Sequence, residues 1–140
     1  MPALVTNSAV EDCLRTLLLA EGYSLTPKRA CGQTGVDIVA KKGDESFHIE
    51  CIGYKESGPA RAKDFYESFF RCVSRLNDDA THCVIGLSHR AEIGLPARAK
   101  QHRVAWLRLA IAFPELQIWL VNTDTRSYRR ATWKEWAEIS

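Results

Sequence analysis

From Asn7 to Glu21 the apolar residues Val10, Leu14, Leu17 and Leu18 recur at steps of three and four, the spacing that lines one face of a helix. Asn7 or Ser8 is placed to cap that helix and Gly22 to stop it, the residue types that satisfy or terminate helix ends. The period then changes. "GYSLTPK" has strand length, and "GVDIVAKK" and "SFHIECIGY" alternate around "KGDE", a hairpin signal because Gly and Asp supply the unusual backbone angles of tight turns. Helical spacing returns in "SGPARAKDFYESFFRCVSRL", where Ser57 or Gly58 caps and Pro59 suits the first turn. Ala62, Phe65, Phe69, Cys72, Val73 and Leu76 form its apolar stripe. "THCVIGLS" reads as a strand buried on both faces. Pro96 to Phe113 reads as one helix closed by Pro114, "LQIWLVN" as a last strand, and "TWKEWAEI" as a helical turn or two capped by Thr132.

The order is helix, three strands, helix, strand, helix, strand. A hairpin-rich half followed by strand, helix, strand implies an α/β layered domain, a mixed central sheet with helices on both faces. The chain has 140 residues and contains no repeat or linker, so residues 1–140 are expected to form one domain. With 46% hydrophobic and 26% charged residues it is globular in composition. No apolar run approaches the roughly 20 residues of a membrane span, and the N-terminus lacks a basic region ahead of its apolar residues; a cytoplasmic protein is expected. Cys13, Cys31, Cys51, Cys72 and Cys83 are odd in number and contain no C-x-x-C, which implies reduced thiols, with Cys51, Cys72 and Cys83 acting as small apolar residues.

The net charge of +2 is small but unevenly spread. Arg90, Arg98, Lys100, Arg103 and Arg108 stand against Glu92 alone, and the tail adds Arg126, Arg129, Arg130 and Lys134. Such clusters suit phosphates, and equally suit a solvated helix face.

Two acids fall within the hairpin. By alternation Val36, Ile38 and Ala40 point one way and Asp37 and Val39 the other; Phe47, Ile49 and Cys51 oppose His48, Glu50 and Ile52. If the apolar sets share a core, Asp37 and Glu50 share the opposite face. Two convergent carboxylates would suit Mg²⁺; alternatively, Asp37 caps the "CGQTG" turn and Glu50 pairs with a Lys or Arg. His48, on the same face, reads as a structural histidine.

The stretch "GYSLTPKRACGQTGVDIVAKKGDESFHIECIGYK" resembles the core of the PD-(D/E)XK superfamily, the restriction-endonuclease-like fold, and the order of elements matches from Val10 to about Asn122. In that family an Asp opens the second strand and an acid-x-Lys triplet lies on the third. The resemblance implies a three-layer domain with an α-β-β-β-α-β core plus a further helix and strand, and a metal-dependent nuclease acting on DNA with Mg²⁺ or Mn²⁺. It implies Asp37 and Glu50 as catalytic metal ligands, with Glu11 (or Asp12) from the first helix as a further ligand. Gln33, on the approach to Asp37, and Lys55 and Arg61 beyond the hairpin are the implied substrate contacts, and a homodimer is implied as well.

Ile52 departs from the pattern, because the family's lysine stands at that position. Lys63, Arg61 or Lys55 is a candidate replacement, Lys63 first; the alternatives are slow hydrolysis, or a catalytically inactive domain that binds DNA or a protein. Trp106 and Trp119 read as buried. Trp133 and Trp136 suit core packing or a subunit contact, or else base stacking.

Overall fold

The computed structural model describes residues 3–29, 36–78 and 80–138. Strand β1 (Ala3–Val5) precedes helix α1 (Asn7–Ala20), which is capped by Thr6 rather than by Asn7 or Ser8; the Thr6 hydroxyl accepts from the Ala9 amide at 3.0 Å. The Asn7 side chain instead accepts from the Gly53 amide at 2.8 Å. Gly22, at φ 92°, turns the chain out of the helix as its position predicts.

Strands β2 (Ser24–Leu25), β3 (Ile38–Lys42) and β4 (Glu45–Ile52) follow, the last two joined by a two-residue loop that opens on Gly43 at φ 60°. At Gly53 the chain leaves the sheet. β5 (Tyr54–Lys55) pairs with β1 as a separate small ladder, and a Cβ on Gly53 would lie 1.9 Å from the Val5 carbonyl oxygen, so only glycine permits that approach. Helix α2 (Gly58–Ser74) starts at a Ser57 cap, β6 (His82–Ser88) crosses the centre, and α3 (Leu95–Gln101), α4 (Arg103–Ala112) and β7 (Leu116–Asn122) follow. The expected single helix over Pro96–Phe113 is therefore two, broken at His102, whose φ of −112° and ψ of 27° lie outside the helix. β8 (Ser127–Thr132) and the short helix α5 (Glu135–Glu138) end the described chain.

The main sheet has the order β2-β3-β4-β6-β7-β8, parallel across β4, β6 and β7 and antiparallel at both sides. Alternation divides the interior in two. Val10, Leu14 and Leu18 of α1 pack on Ile38, Phe47, Ile49, Val84 and Trp119. The opposite face, with Ile52, Ile85, Leu87 and Ile118, is covered by α2 to α5. The α/β class and the mixed, helix-flanked sheet are thus as the hydrophobic pattern predicts. No helix among the described residues is long and apolar enough to cross a membrane.

Trp133 and Trp136 belong to the second core. Trp133 stacks on Trp106 with ring centroids 3.8 Å apart, and each indole N–H donates to the other residue's carbonyl, at 2.8 and 2.9 Å. Cys51 and Cys72 are buried as expected, and burial pushes both thiols well above their ordinary range.

Candidate functional site

The register of the hairpin pairs Ile38 with Ile49, so one step further sets Asp37 opposite Glu50, on the face that α2 covers. Alternation, with the apolar sets of the two strands sharing a core, put both acids on one face. Glu50 is buried at 5% exposure. Burial, and then the Asp37 charge, push its carboxyl up to about 7, with Arg75, Arg29 and Arg71 pulling the other way. No hydrogen bond or ion pair reaches the Glu50 carboxylate among the described residues.

Asp37 is occupied on both oxygens. Arg29 pairs with Oδ1, and the Cys51 amide donates to Oδ2 at 2.8 Å. Glu11 points to the same region from α1, but its Oε2 accepts from Arg15 Nε at 2.7 Å. Arg15 also donates to the carbonyls of Thr26 at 2.6 Å and Asp37 at 2.8 Å, bracing α1 against the entrance of β3. Asp12 faces outward and pairs with Lys28 at 2.8 Å.

The cations expected as replacements for a lysine at position 52 are each exposed or engaged by other groups. Lys63 is on the solvent face of α2, its side chain 74% exposed and 3.9 Å from Glu67. Lys55 pairs with Asp64 at 3.0 Å. Arg61 donates to the carbonyls of Lys55 and Glu56, both at 2.9 Å, and lies 4.6 Å from the Tyr54 ring, so it holds the small β5 ladder in place. Gln33 lies outside the described residues. Ile52 shares the face of Glu50 and is buried in the cluster that holds Phe65 and Leu87, so its position serves core packing.

A divalent cation of the Mg²⁺ type needs carboxylate oxygens free to face it. Here a guanidinium already stands against Glu11 and another against Asp37, while Glu50 is held toward its neutral form. Among the described residues no group of three or more His, Cys, Asp or Glu side chains is arranged to hold a metal ion. As arranged, the acids and arginines form an internal ion-pair network. The Arg15 tie to Glu11 was legible as an i,i+4 pair on one helix; the Arg29 tie to Asp37 was not, since only the fold brings them together.

The basic residues sort in a way the sequence did not reveal. Arg130, in β8, donates to the hydroxyls of Tyr23 at 3.1 Å and Tyr128 at 2.9 Å and sits 4.5 Å from the Trp119 ring; it is a structural clamp. Arg129 pairs with Glu92 at 2.8 Å, and Arg98 donates to the Tyr66 hydroxyl at 3.1 Å. Arg90, Lys100, Arg103 and Arg108 are exposed, and their side chains make no hydrogen bond or ion pair among the described residues. From Leu95 to Phe113 no acid accompanies Lys100, Arg103 and Arg108, while Arg90 has Glu92 nearby in sequence.

No protein-family model, no curated protein and no solved structure matches the chain.

Proposed function

We propose that the chain is a restriction-endonuclease-like domain that binds nucleic acid without hydrolysing it. The observation that carries this reading is how the charges are used. The arginines beside Glu11 and Asp37 are spent on those acids, whereas the side chains of Arg90, Lys100, Arg103 and Arg108 are left exposed and unpaired among the described residues, the last three on a stretch, Leu95 to Phe113, that holds no acid. Unpaired exposed cations are what a polyanion meets, because neutralising phosphates releases counterions. Ile52 and the solvent-facing Lys63 agree with the loss of hydrolysis, since neither leaves a cation at the position the motif assigns to one.

Fluorescence anisotropy of a short labelled duplex, titrated at several salt concentrations, tests the binding. The expected log–log salt slope is about −3, corresponding to three or four neutralised phosphates, and R103E/R108E should make it shallower by about 2. Absence of binding to duplex, single-stranded DNA and RNA alike, or a double variant that binds as the parent does, refutes the proposal.

A further inference from the structure

A cleft of about 690 Å³ opens at the carboxyl ends of the parallel strands, where Tyr54 follows β4 and His89 and Arg90 follow β6. Open α/β sheets hold their ligands at such strand ends, and the volume lies within the roughly 300–1,000 Å³ of small-molecule sites. Ile93 and Pro96 supply an apolar wall, and the Trp136 ring closes the far side.

The polar atoms here are unbalanced. Trp136 is 1% exposed, and its Nε1–H has no partner; the buried Nδ1 of His89 has none either. A buried polar group without a partner costs about 1–3 kcal/mol, so two of them in residues that line one cleft require an explanation. Arg90 adds a guanidinium with no hydrogen bond or ion pair among the described residues. The acid in the lining, Glu92, is already engaged by Arg129, whose guanidinium lies 5.2 Å over the Trp136 ring. What remains is an unmatched indole N–H and guanidinium, with an imidazole nitrogen that donates in one of its tautomers, beside an apolar wall. A neutral or cationic ligand would leave the guanidinium unmet. An oxyanion answers it, and the indole, Ile93 and Pro96 accommodate a flat apolar body.

We infer that this cleft binds a small organic anion, a carboxylate or phosphate ester on a flat apolar body, through Arg90, His89 and Trp136. The site is separate from the hairpin acids and does not depend on the nucleic-acid reading.

The test is ¹H–¹⁵N spectroscopy of the whole chain, whose four tryptophans give four indole signals; the Trp136 signal is the one missing from Trp136→Phe. Benzoate, phenyl phosphate and the neutral benzyl alcohol are each added to roughly 10 mM, a range that detects millimolar affinity. The expected result is a saturable movement of the Trp136 signal with at least one anion and none with benzyl alcohol. A response to phenyl phosphate alone identifies a phosphate ester, and a response to benzoate alone a carboxylate. Arg90→Gln, at an exposed position, should weaken binding about tenfold, the loss of one charge-assisted contact, with the other three indole signals unmoved. No movement with either anion, equal movement with benzyl alcohol, or undiminished binding by Arg90→Gln overturns the inference.

Discussion

Glu50 lies beneath α2 with Asp37 opposite it, and burial and that neighbour hold its carboxyl at about 7 against an ordinary 4.5. A carboxyl whose value is raised by folding binds its proton more tightly in the native state. Its contribution is therefore intact below about pH 4.5 and is lost as the pH rises through about 7. The loss amounts to about 3 kcal/mol at pH 8. Urea denaturation of the parent and of Glu50→Gln at a series of pH values isolates this term: the parent should lose stability relative to the variant between pH 5 and 8, and parallel profiles would contradict the account. That Asp37 and Glu50 share a face was legible in the sequence, because strand alternation decides it once the apolar sets of the two strands share a core. That Asp37 is spanned by Arg29 and the Cys51 amide was not, because those contacts come from tertiary packing.

At the scale of elements, the strongly patterned segments declared themselves: α1, the β3–β4 hairpin, α2, β6 and β7. β8 did not, since "SYRRAT" carries two arginines and reads as a polar tail. It is an edge strand whose Tyr128 and Ala131 each face a core, and whose Arg130 is accepted because aromatic rings surround it. The break at His102 was equally hidden, because nothing in "AKQHRVA" interrupts helical spacing; the His102 ring hydrogen-bonds Tyr66 at 2.9 Å across to α2. The Trp106–Trp133 pair then ties α4 to the segment after β8. Trp133→Ala should cost about 3–5 kcal/mol. Trp133→Phe keeps the stacking and loses one indole donor, so about 1–2 kcal/mol is expected. Chemical denaturation that finds Phe as costly as Ala would show that ring packing is not what joins these elements.

For the whole molecule, the layered α/β architecture with helices on both faces of a mixed sheet followed from the order of periodicities; which helix covers which face did not. What could not be read from sequence was the distribution of charge, because it depends on which cations find partners. The fold spends Arg15, Arg29 and Arg130 internally and leaves Arg90, Lys100, Arg103 and Arg108 exposed. That division is the basis for proposing binding without hydrolysis. The most direct test is electrophoresis of end-labelled duplex, single-stranded DNA and RNA, each incubated with excess protein and Mn²⁺, run once as the native complex and once after the protein is stripped away. The account predicts a retarded complex that returns its strands at full length; shortened strands, or no retardation of duplex, single-stranded DNA or RNA alike, would contradict it.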